Sequence, residues 1–301
     1  MIPIKGYSTF HPLKHCIVGK AYHPDVIRKL LGAGAEHVCK VMEQTEQDLS
    51  TLVSILESHG VKCYRPTAEV NNSNARPPIS PRDYLIALGE TLLVGKLVNG
   101  YSEILSKVDK LSCQWFLDTD VSSANMIRCG DHIHWDIDPG TKPEKEKKIR
   151  GLLQEKGYRT SVTRLGWHVD GAYQILKPGV IVAAEHLYGQ WLSDIYPGWE
   201  ILRLEADKIQ PPYLPAITLM KNRLPHWMGD YSESNYDVNI LSIDESHCVV
   251  PQQNTKLFNF LERHGIEPIV CELRSKYFWD NGIHCMTQDL YREGSMENYF
   301  N

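Results

Sequence analysis

The sequence predicts one α/β domain in which five similar units of hairpin, helix and strand close on one another around an axis. Five short apolar runs each break at a two- or three-residue turn and resume, at residues 15–22, 84–94, 126–134, 173–182 and 238–249. Three of them lead to a helix and then a strand of similar wording: Leu-Glu-Ser-His-Gly60-Val-Lys-Cys-Tyr, Leu-Gln-Glu-Lys-Gly157-Tyr-Arg-Thr-Ser-Val and Leu-Glu-Arg-His-Gly265-Ile-Glu-Pro-Ile-Val. A single unit of this kind cannot bury both of its faces, so the units are expected to join in one domain spanning residues 1–301, with a two-domain α/β protein whose repeats are coincidental as the alternative.

In the first unit His15-Cys-Ile-Val-Gly-Lys-Ala-Tyr22 reads as the hairpin. Behind it Val38, Met42, Leu49, Leu52, Val53 and Leu56 keep helical spacing. Gly60 then stands where a helix ends in the left-handed conformation. Residues 65–81, rich in Asn, Ser and Pro, are too long for a mere connection and are expected to frame a site. The second hairpin turns at Gly89-Glu90, and residues 101–117 hold the helix position after it. The third turns at Gly130-Asp131, with Ile149, Leu152 and Leu153 forming the helix stripe that ends at Gly157. The fourth turns at Pro178-Gly179 and is followed by a weaker copy, Trp191-Leu-Ser-Asp-Ile-Tyr-Pro-Gly198. The fifth turns at Asp244-Glu245, with Leu257, Phe258 and Leu261 ahead of Gly265. Residues 205–236 are again too long to be only a connection.

Composition narrows the function. With 42% hydrophobic and 23% charged residues and 17 prolines, the chain is ordinary globular protein. A net charge of -5 gives no electrostatic reason to expect nucleic acid or an anionic membrane, so the expected partner is a small molecule. The opening Met1-Ile-Pro-Ile-Lys-Gly has no secretory pattern and no apolar run approaches a membrane span, which reads as a cytoplasmic protein. Eight cysteines stand singly, without a C-x-x-C pair, which fits reduced thiols. The sequence admits a homodimer without requiring one.

Cys285 lies after Asp280-Asn281-Gly282, where the backbone is expected to take unusual dihedrals and to point amide N–H groups at a developing charge, as a nucleophile needs. A buried structural cysteine is the alternative. His168 and Asp170, two apart on what reads as an extended chain, would share a face and suit proton transfer beside a cation; a core His–Asp hydrogen bond is the alternative. Arg82 and Asp83 would be carried to a strand end by their loop, or form a surface ion pair. Asp118, Asp120, Ser122 and Asn125 hold the equivalent place before the third hairpin, where turn formation would also explain them. His132, His134, Asp136 and Asp138 alternate as divalent-metal ligands could, but Asp138-Pro139-Gly140 reads as a turn and four alternate strand residues spread too far for one ion. No metal and no cofactor is expected.

Tyr7-Ser-Thr-Phe-His-Pro-Leu-Lys-His-Cys-Ile-Val-Gly19, Pro81-Arg82-Asp83, Ala124-Asn125-Met-Ile-Arg128-Cys-Gly130, His168-Val-Asp170 and Gly282-Ile-His284-Cys285-Met286-Thr287 follow one another in that order. Together they resemble, almost end to end, the amidinotransferases, the glycine and inosamine amidinotransferase family of guanidino-group-modifying enzymes. The last two segments match its H-x-D and G-x-H-C-x-T motifs. The resemblance implies a five-bladed, pseudo-symmetric α/β propeller of the pentein type. It also implies transfer of an amidino group from a guanidino donor such as arginine to an acceptor amine, through an amidino-cysteine on Cys285. His168 would pass the protons, and Asp83 and Asp170 would hold the guanidinium. Arg82, Asn125, Glu233 and His284 would complete the substrate site.

Two departures qualify this. The family's motif opens on an aspartate that accompanies the catalytic histidine, and here the run is Ser122-Ser123-Ala124-Asn125. Asp120, two residues earlier, is expected to bring the carboxylate, with Ser122 adding a hydroxyl; Glu233 and Asp237 are the substitutes. Glycine amidinotransferases also carry an arginine after the fourth hairpin, where this chain reads Ala183-Ala-Glu185-His186-Leu187-Tyr188. The acceptor pocket is therefore expected to differ. A guanidino hydrolase using water is the nearest alternative. A metal-dependent hydrolase built on His132, His134 and Asp136, and a silent binder of guanidino compounds, come after it.

Overall fold

Four of the five expected hairpins form, and the first does not. The computed structural model describes residues 1–32, 34–68, 76–95, 100–115, 122–166, 168–187, 189–205, 214–227 and 236–300. Within them the strands make five three-stranded sheets. The first sheet holds β1 (Leu13–Val18) and β2 (Lys62–Tyr64), the second β3 (Leu85–Leu88), β4 (Thr91–Val94) and β5 (Cys113–Trp115). The third holds β6 (Met126–Cys129), β7 (His132–Asp136) and β8 (Arg159–Thr163), the fourth β9 (Tyr173–Lys177), β10 (Val180–Ala184) and β11 (Glu200–Leu204). The fifth holds β12 (Leu241–Ser242), β13 (His247–Val250) and β14 (Glu267–Val270), and the last strand, β15 (Thr287–Arg292), returns to the first sheet.

Every middle strand pairs antiparallel with one neighbour and parallel with the other. A parallel step needs a crossover, and helices supply it at Glu36–Ser58, Ser102–Ser106, Pro143–Glu155, Gly189–Ile195 and Thr255–Arg263. Four of these helices end at the glycines read as stops: Gly60, Gly157, Gly198 and Gly265 have φ of 75°, 84°, 79° and 70°. Inward stripes follow the expected spacing, with Val38, Met42, Leu49, Leu52 and Leu56 buried on the longest helix and Val53 packed at its margin. Each fully buried leucine contributes roughly 2 kcal/mol.

The run at residues 15–22 holds the end of β1 and no turn back. Gly19 is there for close approach: a Cβ on it would meet the Ile79 carbonyl oxygen at 2.0 Å, and its N–H donates to Met286 O at 2.8 Å. The antiparallel partner of β1 is β15, from the far end of the chain. Closing a ring of units requires one sheet to take strands from both ends. Within the described part of the stretch 101–117 the expected helix covers Ser102–Ser106, because the Asp109 side chain accepts from Leu111 N–H and starts a tighter turn that leads into β5. The stretch 205–236 contains a helix of its own, Leu214–Arg223, within its described part. Among the described residues no helix is long and apolar enough to cross a membrane.

Candidate active site

A short turn precedes each of β3, β6, β9, β12 and β15, and these turns carry most of the candidate residues. Pro81–Asp83 touches Ser123–Asn125, which touches Val169–Ala172. The turns at Tyr236–Asn239 and Ile283–Met286 join them through hydrogen bonds. Five equivalent positions of the repeat thus meet at one end of the ring.

Cys285 and Asp170 are fully or almost fully buried, at 0% and 1% exposure. Cys285 Sγ lies 3.4 Å from Asp170 Oδ2. The second contact to the thiol is Asn239, whose Nδ2–H donates to Sγ at 2.9 Å, while its Oδ1 accepts from Cys285 N–H at 2.9 Å. That backbone N–H is therefore occupied and does not point at a reacting group, contrary to the expectation from the sequence. The unusual dihedral is also displaced: it falls on Asp280, with φ of 55°. Gly282 is needed for space instead, since a Cβ there would stand 2.5 Å from Asn239 Cβ. The sequence expectation did not include Asn239, whose only local signal is being a lone polar residue in the apolar run Val238-Asn239-Ile240-Leu241.

His168 and Asp170 do not sit on a strand. His168 is the N-cap of the four-residue helix Val169–Ala172, so Asp170 turns inward while the His168 side chain stays 38% exposed. Two residues apart in a helix is not one face, which corrects the shared-face expectation. His168 Nδ1 approaches Asp83 Oδ1 at 3.9 Å. Asp83 is only 16% exposed, and burial, working against the nearby His168, raises its pKa above the ordinary carboxylate value.

Asp170 Oδ2 also accepts from His284 Nδ1 at 2.7 Å. Burial, then the neighbouring Arg82 cation, lowers the His284 pKa to about 4, so the imidazole is neutral near pH 7 and donates from Nδ1. Burial opposes the charge of Asp170, but His284, through its hydrogen bond first of all, and then His168 and Arg82 outweigh it and lower the pKa, so the carboxylate stays ionised. Asp170 Oδ1 and Asp83 Oδ1 are buried and have no hydrogen-bond partner.

The remaining candidates take other places. Arg82 is no surface ion pair: it is 2% exposed and bonds Asp289 Oδ1 at 2.7 Å. His284, expected at the substrate, faces Asp170. Ser122 Oγ accepts from Ala124 N–H and caps its own turn. Asn125 Nδ2 donates to Asp136 O, leaving Oδ1 buried without a partner. Asp237 accepts from Asn254 Nδ2 at 2.7 Å. Asp118, Asp120 and Glu233 lie outside the described residues. Along β7, His132 bonds Ser161, His134 bonds Tyr173 and Thr163, and Asp136 accepts from Thr163, Leu165 and Gly166. Asp138 caps Gly140 as the turn reading expects. Among the described residues no cluster of three His, Cys, Asp or Glu could hold a metal ion.

No family model matches the sequence. The chain is 23% identical over 308 residues to inosamine-phosphate amidinotransferase 1 of Streptomyces glaucescens, covering 86% of this chain and 84% of that one. It is 22% identical over 315 residues to the L-arginine:L-lysine amidinotransferase of Pseudomonas savastanoi pv. phaseolicola, covering 86% and 81%. Among solved structures, inosamine-phosphate amidinotransferase from Streptomyces griseus superposes over 100% of both chains with a TM-score of 0.77 at 19% identity. A dimethylarginine dimethylaminohydrolase superposes over 92% of this chain and 99% of its own with a TM-score of 0.65 at 14% identity. The fold is thus the pentein-type α/β propeller, and the amidinotransferase resemblance read from the motifs extends over most of the chain.

Proposed function

We propose that this protein is an amidinotransferase that carries the amidino group on Cys285 between a guanidino donor and an acceptor amine. The observation that carries the reading is a buried thiol beside the Asp170 carboxylate, whose Oδ1 makes no hydrogen bond, with Asp83 Oδ1 likewise without a hydrogen bond and only a 3.9 Å ion-pair contact to His168 Nδ1. A guanidinium is planar and presents N–H donors along its edges, so two carboxylate oxygens suit it, and its charge favours the thiolate that does the attacking. Arginine is the proposed donor, and a relative that pairs arginine with lysine in its name supports both that donor and a primary amine as acceptor.

In this reading the Sγ thiolate forms a bond to the guanidinium carbon. The carbon–nitrogen bond to the departing amine then breaks as protonated His168 gives that nitrogen its proton. The acceptor amine attacks the same carbon, His168 takes the proton it sheds, and the sulfur–carbon bond breaks to return the thiolate. Asp83, 3.9 Å from His168 Nδ1, supports the charged imidazole, and Asp120 is proposed as a second carboxylate partner for it. Burial of Cys285 supports transfer over hydrolysis, because an adduct held away from water survives until the amine arrives. A cytoplasmic setting belongs to the same reading and is supported by eight unbridged cysteines.

Incubation with guanidino-labelled arginine and a pool of amines, followed by peptide mass mapping, tests it. Label on Cys285 and in a new guanidino product is expected, with donor alone giving at most slow ureido product. Label on another residue, or an active Cys285→Ala variant, rules out the nucleophile, and fast ureido formation moves the activity to a hydrolase.

A further inference from the structure

We propose that Asn239 is a catalytic residue, the donor that keeps sulfur in its anionic form next to the Asp170 carboxylate. This rests on Cys285 being the nucleophile. The orientation of the Asn239 amide follows from chemistry. Cys285 N–H can only donate, so the atom 2.9 Å from it must be Oδ1. Nδ2 is thereby turned to the sulfur at 2.9 Å and to the Asp170 carbonyl oxygen at 3.1 Å, and its two hydrogens meet two acceptors. The side chain is 0% exposed, so water does not replace it.

The need for such a donor comes from Asp170. Its Oδ2 is 3.4 Å from Sγ, a distance that suits a thiol donating to a carboxylate. Once sulfur is ionised the same contact sets two negative charges against each other, which raises the energy of the thiolate. A hydrogen bond from a neutral amide to the anion opposes that, and in a buried site such bonds are stronger than in water. The same amide ties together the turns before β9, β12 and β15, so it also fixes where sulfur stands relative to Asp170. Gly282 leaves the space that Asn239 fills.

Two variants separate this role from simple packing. Asn239→Asp has nearly the same shape and keeps an acceptor for Cys285 N–H, but replaces the donor to sulfur with a charge that itself raises the energy of the thiolate. Asn239→Ala removes both. The readout is the pH dependence of Cys285 alkylation by iodoacetamide, followed on the Cys285 peptide, which needs no turnover, together with kcat and KM. In both variants the midpoint of thiolate formation should move up by about one pH unit or more, and kcat should fall on the order of tenfold to a hundredfold with KM changed much less. An Asn239→Ala protein that is folded by circular dichroism and alkylates with the parent's pH profile overturns the inference, whatever Asn239→Asp does. If that profile is unchanged while Cys285→Ala is inactive, only the role of Asn239 falls. If Cys285→Ala still turns over, the nucleophile reading falls, and this inference with it.

Discussion

Gly282 has no room for a side chain. A Cβ at this position would lie 2.5 Å from Asn239 Cβ and 2.7 Å from both its backbone oxygen and Oδ1, and the first two of these atoms cannot swing away as a side-chain tip could. Its φ is unexceptional, so alanine is excluded by space and not by backbone strain. Gly282→Ala should therefore leave the protein folded but push Asn239 from the sulfur, lowering kcat by on the order of tenfold to a hundredfold, as expected when a reacting group is displaced by a fraction of an ångström to an ångström. Steady-state kinetics with a parallel melting curve would check it, and unchanged kcat would mean that the turn yields without moving Asn239. His284 acts at the same scale: its neutral ring donates to Asp170 Oδ2 and fixes the carboxylate, whose Oδ1 makes no hydrogen bond.

At the scale of elements, β15 is the strand on which most depends. Its N-terminal end follows the Cys285 turn, its length completes the first sheet against β1, and Asp289 and Arg292 point into the interior. After it the chain runs on as a strap across the third and fourth sheets. The Phe300 ring stacks on Tyr196 and Trp199 at 5.6 Å from each, meets His132 edge-on at 4.7 Å and lies under the Arg159 guanidinium at 5.4 Å. Tyr299 bonds His11 Nε2 at 2.9 Å. Phe300→Ala should lower stability by about 1–2 kcal/mol, the area and ring-contact loss of a half-buried aromatic. Turnover at saturating substrate should not change, because no residue it touches belongs to the candidate site. A urea titration that shows no loss would mean the strap is held by its backbone bonds alone, such as Asp131 N–H to Glu297 O.

Over the whole molecule, buried charge and buried histidine set the response to pH. Asp289 stands among Arg82, Arg128 and Arg292, each bonded to it and each drawn from a different part of the chain. Burial opposes its charge, but three guanidiniums hold its carboxyl well below the usual range. Four histidines respond in the opposite way to an ordinary surface group: burial first of all lowers His11, His132 and His284 to about 4 and His134 to about 3, from 6.5. Because the unfolded chain takes up those protons and the folded one does not, their contribution is complete above about pH 6.5 and is lost as pH falls toward about 4. The melting temperature should drop by about 5 °C or more between about pH 7 and pH 5. A flat or rising melting temperature over that window would show that these rings are protonated in the fold.

What the sequence determined alone was whatever is written locally. Hairpin turns at Gly89-Glu90, Gly130-Asp131 and Pro178-Gly179, and the glycine stops of four helices, depend on neighbours a few residues away, so they and the count of five units could be read directly. Cys285, Asp170, His168 and Asp83 were legible because they sit in short patterns of distinctive residues. The tertiary structure decided what depends on distant partners. The pattern of β1 looks like half a hairpin, but its partner is supplied by ring closure some 270 residues later, at the end of a long loop in sequence. Asn239 is an unremarked amide until Gly282 makes room for it against sulfur, 46 positions away. Arg82 reads as a surface charge, and becomes a buried one only because Asp289 arrives from the opposite end of the chain to neutralise it.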